Sequence, residues 1–306
     1  MTATLDWMGC ATFRFTVGEL VIFLDAYMER VPSAVPTGVT VDAIDRAHWI
    51  VVGHSHFDHL YGADRLARHT GATLIGSYET VRIMEAQGVP LQQLLPVAGG
   101  ETIRLSPTVT VSVYPSLHSC VWTHRQMAAA ETVCLGDLGV TYQEQEERRA
   151  GLRSWMESLG DEVLKHLRAT AQGARGDGGV LVYLFETPEG SLLYQDTSGS
   201  WSGLFHNLRP DVAILGAAGR GNIDGEPIQG SLAQFVARQA ELLRPWRVVL
   251  SHHDDWLPGF SRAIEVAPIR EEVTRWAPRT ELIEMGYVEA YPIFEGLSVR
   301  QRSMPV

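Results

Sequence analysis

Six consecutive residues, His54-Ser55-His56-Phe57-Asp58-His59, put three imidazoles and a carboxylate within reach of a single turn. Imidazole nitrogen and carboxylate oxygen are donors that Zn²⁺ takes, and catalytic zinc sites keep one position open for water. Two histidines separated by one residue can reach the same ion from a tight turn. The adjacent Asp58-His59 pair can address a second. Four ligands on six residues would crowd one ion that must also bind water, so the spacing favours two metals. The competing interpretation is a polar loop whose histidines are satisfied by hydrogen bonds.

The elements that must hold these groups are legible around them. Ala47 to Val52 is a continuous apolar run, as in a strand buried on both faces, and the cluster follows it directly. It therefore sits at the C-terminal end of that strand, where α/β proteins place their sites. Short strands are predicted at Thr4–Trp7, Thr12–Thr16, Leu20–Leu24 and Thr73–Ile75, and helices at Asp64–Arg68 and Glu79–Ala86. Further strands are predicted at Val109–Tyr114, Val180–Phe185, Ser191–Gln195, Val212–Leu215 and Trp246–Leu250. Helices are expected at Leu232–Leu243, closed by Pro245, and at Glu271–Trp276. Alternating strands and helices predict an α/β layered fold.

Residues 141 to about 172 differ. They are rich in Glu, Arg, Gln and Leu, with Leu152, Trp155, Met156, Leu159, Val163 and Leu167 on helical spacing, interrupted at Gly151 and Gly160. We expect one or two amphipathic helices there, inserted in a single domain spanning 1–306. A flexible polar loop, Gly173 to Gly179, should follow, its Arg175-Gly176-Asp177 triplet being only part of that loop.

Composition narrows the function. The chain has 306 residues, 45% apolar and 20% charged, so it has length enough for a large core. Its 25 basic and 36 acidic residues give a net charge of −11. Nucleic acid as a partner is disfavoured, because phosphate neutralisation supplies most of that affinity. Lys165 is the sole lysine, so a substrate anion would meet an arginine, a backbone N–H or a metal. Three cysteines, Cys10, Cys120 and Cys134, make no disulfide framework. The segment from Met1 to Cys10 lacks the pattern of a signal peptide, and no apolar run approaches a bilayer span. We expect a cytoplasmic protein, possible as a homo-oligomer, with a small-molecule substrate.

The cluster resembles the HxHxDH signature of the metallo-β-lactamase fold superfamily of metal-dependent hydrolases. That resemblance implies a four-layer αββα sandwich with metals at one edge, and three further ligands downstream, each ending a strand. His118, Asp196 and His252 stand at such positions in order. The resemblance then implies one metal on His54, His56 and His118, a second on Asp58, His59 and His252, and Asp196 bridging. His124 competes with His118, and Asp177 and Asp211 with Asp196; the residue just after its strand is preferred. His253 competes with His252, and since strand alternation turns only one of them inward the first is preferred, the other standing behind it. Asp25, ending the Leu20–Leu24 strand, resembles a support for a metal-bound histidine, against the alternative of a turn-initiating Asp. Gly9-Cys10-Ala11-Thr12 resembles the Gly-His-Ala-Thr stretch of the ascorbate-6-phosphate lactonase-like and N-acylphosphatidylethanolamine phospholipase D-like branch. Cys10 replaces that histidine, and a small buried thiol is preferred for it over a ligand.

The implied cofactors are two divalent ions, zinc first, with manganese or iron compatible. A hydroxide bridging them would attack an ester, lactone or phosphodiester, with Asp58 orienting it as well as binding metal. A general acid could come from His253, Tyr61 or water. Arg220, in a glycine-rich turn, could clamp an anion or simply shape that turn. Trp122, Trp155, Trp201 and Trp256 are candidate pocket walls. A β-lactam substrate is disfavoured by the scarcity of lysine, and a transfer-RNA nuclease by charge and by Phe57. An iron oxidoreductase on the same ligand set, or a metal-stabilised binding protein without activity, are the rivals. The insertion could cover the site, form a dimer contact or pack on the core.

Overall fold

The structure is a computed structural model describing residues 2–123 and 129–297. His124, the sequence competitor of His118, lies outside them. In chain order the first half runs β1 (Thr4–Trp7), β2 (Phe13–Val17), β3 (Leu20–Leu24), β4 (Trp49–Val51), α1 (Phe57–Leu60), α2 (Ala63–Thr70), β5 (Thr73–Gly76), α3 (Tyr78–Ala86), β6 (Leu94–Pro96), β7 (Thr102–Arg104) and β8 (Thr110–Pro115). Then follow α4 (Tyr142–Glu157), α5 (Asp161–Thr170), β9 (Leu181–Glu186), β10 (Ser191–Tyr194), β11 (Gly199–Ser200), α6 (Ser202–Phe205) and β12 (Val212–Gly216). The chain continues through β13 (Asn222–Ile223), β14 (Glu226–Pro227), α7 (Leu232–Leu243), β15 (Arg247–Ser251), α8 (Ala267–Trp276) and β16 (Glu281–Ile283).

Two large sheets result, one ordered β1-β2-β3-β4-β5-β6 and the other β16-β15-β12-β10-β9-β8-β7; β11, β13 and β14 form a small third. Side-chain alternation along the strands explains the layering. Phe15, Ile22, Leu24 and Val51 of the first sheet meet Val111, Tyr183, Phe185 and Ile214 of the second in one core. The intervening residues Val21, Phe23 and Ile50 face the other way, onto Leu66 and Ala67 of α2 and Ile83 of α3. Ala213, Leu215 and Val248 likewise face Phe235 of α7 and Val273 of α8. Each Val, Leu, Ile or Phe among them taken from water contributes about 1.5–3 kcal/mol. The order is helices, sheet, sheet, helices, an αββα sandwich.

Several boundaries differ from the sequence expectation. The cluster is not wholly loop: His56 is the N-cap of the one-turn helix α1. Gly151 lies inside α4, whereas Gly160, at φ +110°, does separate α4 from α5. The short edge strands β6, β7 and β16 escaped the pattern because three residues are too few to display alternation. Helix α8 starts earlier than predicted, at Ala267, with a proline in its first turn, where the missing N–H costs nothing. The insertion contrasts with the sheets: α4 starts on a Thr141–Glu144 capping box but buries no residue, and α5 buries only Val163 and Thr170.

Candidate metal centre

Five of the candidate residues lie just past the end of a strand, while His56 caps α1 and Asp58 and His59 lie within it. Asp25 follows β3, His54 follows β4, His118 follows β8, Asp196 follows β10 and His252 follows β15. The two sheets bring these ends together, although the residues span more than two hundred positions of sequence. Asp25, His54, His59, Asp196, His118 and His252 are all buried.

Three imidazoles form one group. The rings of His54 and His56 each lie 4.7 Å, centroid to centroid, from that of His118. His54 Nε2 is 3.1 Å from His56 Nδ1. His56 Nε2 donates to the Gly176 carbonyl at 3.0 Å, and His118 Nδ1 donates to the Ser119 carbonyl at 2.9 Å. Those bonds fix the tautomers, leaving His56 Nδ1 and His118 Nε2 with free lone pairs. Burial, reinforced by the neighbouring rings, holds His54 and His118 well below the ordinary imidazole range, so both remain neutral donors.

The second group is carboxylate-rich. Asp58 Oδ2 is 3.1 Å from His252 Nε2 and 3.6 Å from His59 Nε2. His59 Nδ1 donates to Asp25 Oδ2 at 2.6 Å, which turns Nε2 toward Asp58. Burial works against the Asp58 charge, but His59 and His252 outweigh it and hold its carboxyl far below the usual range. Burial alone would lower His252, yet its hydrogen bond to Asp58 raises it. Asp196 joins the groups: its Oδ2 is 2.5 Å from His54 Nδ1 and 3.4 Å from His59 Nδ1. Burial raises Asp196, and burial together with the Asp196 charge raises Asp25.

Asp196 Oδ1 has no hydrogen-bond partner despite complete burial. An unpaired buried carboxylate oxygen is costly unless a cation neutralises it. Three sets of donor atoms lie within 4.8 Å of one another: His54, His56 and His118; His54, His59 and Asp196; and Cys10, Asp58 and His252. Nitrogen and oxygen donors of this kind suit divalent cations, so the residues present fit such ions.

Two residues absent from the sequence reading shape the centre. A Cβ on Gly53 would come within 2.1 Å of Asp196 Oδ2, so glycine here makes room for that carboxylate. Tyr194 donates to Asp25 Oδ2 at 2.7 Å, while Asp25 Oδ1 accepts the Gly53 N–H at 2.8 Å. A glycine directly before the cluster was the available signal for the first. Nothing local marked Tyr194 as more than a strand aromatic.

The other candidates lie elsewhere. His253 stacks on Trp7, centroids 4.5 Å apart, outside the donor groups, and burial pushes it down to about 4. Arg220 donates to the carbonyls of Cys134 and Ile228 at 2.9 and 2.6 Å, stapling its own loop. Tyr61 caps α1 beneath the Arg65 guanidinium. Asp211 binds Ser191, and Asp177 pairs with Arg149. Trp256 packs edge-on against His252 at 5.3 Å and belongs to the wall of the centre, with Tyr27 and Phe57 behind it. Trp122 lies under Arg149, Trp155 against Phe260, and Trp201 is exposed. The Gly173–Gly179 loop is tied to the cluster: the Ser55 N–H and hydroxyl both donate to the Gly178 carbonyl.

Two facing sheets with helices outside and a His/Asp cluster at one edge make this a metallo-β-lactamase-fold protein. Residues 21–151 match the family model described as a Beta-lactamase superfamily domain. Over 115 residues the chain is 31% identical to a UPF0173 metal-dependent hydrolase of Pyrobaculum calidifontis, covering 38% of this chain and 50% of that one. The chain thus spans about half the length of the curated relatives it matches. Among solved structures it is similar to Igni18, a metallo hydrolase of Ignicoccus hospitalis, with TM-score 0.60, 16% identity and coverage of 94% and 97% of the two chains. It is also similar to the isothiocyanate hydrolase from Delia radicum gut bacteria, with TM-score 0.56, 13% identity and coverage of 95% and 99%. Among the described residues, no helix is long and apolar enough to cross a membrane.

Proposed function

We propose that this chain is a metal-dependent hydrolase that cleaves an ester, lactone or phosphodiester bond of a small molecule. In this reading residues 1–306 form one domain and the centre takes two divalent cations. His54, His56 and His118 hold one, Asp58, His59 and His252 the other, and Asp196 is shared. The observation that carries it is the unpartnered, fully buried Asp196 Oδ1, on a residue grouped with His54 and His59 between the imidazole set and the Asp58–His252 set. When bound, the cations supply a water acidified toward neutrality and positive charge for the developing oxyanion.

The chain's own residues do the rest. His59, anchored by Asp25, and His118, anchored by Ser119, keep their lone pairs aimed inward. Asp58, ionised beside His252, accepts a hydrogen bond and so orients the attacking water. Trp256, Tyr27 and Phe57 form an apolar wall beside His252, which excludes water from that side and suits an uncharged acyl or alkyl group. The relatives above, a metal-dependent hydrolase among them, support hydrolysis.

The test is metal content by mass spectrometry on freshly purified protein, beside an Asp58→Ala/His118→Ala double variant, with lactone and phosphodiester panels. About two equivalents, sharply reduced in the variant, with metal-dependent turnover, are expected. Redox-active iron without hydrolysis would point to the oxidoreductase. Bound metal with no turnover of either kind would leave a binding protein, and no metal after reconstitution would overturn the reading.

A further inference from the structure

Cys10 lies on the turn between β1 and β2, 48 positions before Asp58. Its Sγ is nevertheless among the donor atoms that lie within 4.8 Å of one another with Asp58 and His252. Sulfur and nitrogen donors on one tetrahedral zinc are separated by roughly 3.3–3.8 Å, given zinc–ligand lengths of about 2.0–2.3 Å. Small adjustments therefore suffice to close this group around an ion. Asp58 Oδ2, His252 Nε2 and His59 Nε2 already face one another. Cys10 Sγ, which donates to the Asp58 backbone carbonyl at 3.5 Å, is a fourth donor beside them. Asp196 Oδ1, buried and unpartnered, marks a cation in the adjoining donor group, which shares His59 with this one.

The backbone of Cys10 is held in place by contacts that a filler residue would not require. Its φ is +49°, a conformation that favours glycine or asparagine over other residues. Its N–H donates to Asp254 Oδ1 at 3.0 Å, and Asp254 is in turn gripped by Arg30 at 2.6 Å and Tyr287 at 2.7 Å. Its carbonyl accepts from Trp7 Nε1 at 3.0 Å and from the His252 N–H at 2.8 Å. A ligand-bearing residue is thus bonded through its backbone directly to Cys10. Over-determined strain of this kind collects at functional sites.

We propose that Cys10 is a thiolate donor to the second cation position, completing a sulfur, nitrogen and oxygen ligand set with Asp58, His59 and His252. This deepens the proposed hydrolase reading and rests on it. On ligation the Sγ–H bond breaks, the proton leaves to solvent, and a sulfur lone pair forms the bond to the ion with no change of oxidation state. A soft thiolate biases that position toward zinc over manganese or magnesium. The two positions are then chemically unequal, one bound by imidazoles and the other carrying sulfur.

The test uses the full chain reconstituted with cobalt(II) and, separately, with zinc. Cobalt protein should show a near-ultraviolet thiolate-to-cobalt charge-transfer band that Cys10→Ser abolishes and Cys134→Ser retains. X-ray absorption on wild-type zinc protein should show about one sulfur scatterer per pair of zinc ions, a readout that survives if Cys10→Ser does not fold. Two bound ions with no sulfur signal would overturn the thiolate role while leaving the dinuclear reading intact. Failure to bind either ion would overturn both.

Discussion

The donor centre and the helical insertion are opposite solutions to holding a chain in place. At the centre, Cys10, Asp25 and His252 all sit at positive φ without being glycine, each at a cost on the order of 1–3 kcal/mol. Buried carboxylates and imidazoles stand beside them. That arrangement persists because strand ends from both sheets fix every participant more than once. The insertion carries no such strain, and α4 buries nothing. It is attached by a few side chains: Arg149 over Trp122 and on Asp177, Glu162 on Ser33, and His166 on Tyr27. Costly geometry is tolerated where contacts are redundant, and a loosely tied element is free to vary around it.

If that contrast is right, substitutions at the centre should act on metal and those in the insertion on local order. The largest effect is expected from Asp196→Ala, which removes the carboxylate shared by the groups: bound metal should fall from about two equivalents to a small fraction. Near-wild-type metal content in that variant would remove Asp196 from the centre. Asp25→Asn should cost about 10–100-fold in metal affinity, because His59 loses the anion that orients it. Competition with a chelator measures this. Gly53→Ala should destabilise by roughly 1–3 kcal/mol through its clash with Asp196, read as a lower denaturation midpoint. An unchanged midpoint would mean that the centre is softer than its packing indicates.

Smaller effects belong to the insertion. Burial holds His166 below its ordinary 6.5, against the opposing charges of Glu162 and Glu29, while its ring bonds the Tyr27 hydroxyl. A histidine depressed in the folded state gives its full stabilisation above pH 6.5 and loses it as pH falls below that value, where the unfolded chain binds the proton more readily. Proteolysis within residues 142–170 should therefore quicken as pH drops, and His166→Phe should flatten that dependence. The same slope in both proteins would discard His166 as the cause. Arg149→Ala should cost about 1 kcal/mol globally, since ion pairs to Glu146 and Asp177 and one cation–π contact to Trp122 are lost. Hydrogen exchange in α4 should rise while metal content stays constant.

Much of this was legible from particular residues. The six-residue cluster announced metal chemistry because its donors are local in sequence, and the apolar run before it located a strand end. The alternation of Val109 to Tyr114 marked the strand that leads to His118. Less legible was the character of the edge strands, too short for a pattern, and of Gly151, which a helix accommodates at modest cost.

Residue types and local spacing by themselves determined the donor chemistry, the layered α/β class and the order of the strands that carry it, since these depend on side-chain chemistry and on period-2 or period-3.6 burial. Which donors converge was decided only in three dimensions. His252 and His253 part where β15 ends: His252 takes φ +63° and faces Asp58, while His253 stacks on Trp7. Bringing Cys10 and Asp58 of the first sheet beside His252 of the second required the two sheets to close face to face. Contacts between residues two hundred positions apart leave no periodic trace in sequence, because it is packing of the whole core that sets them.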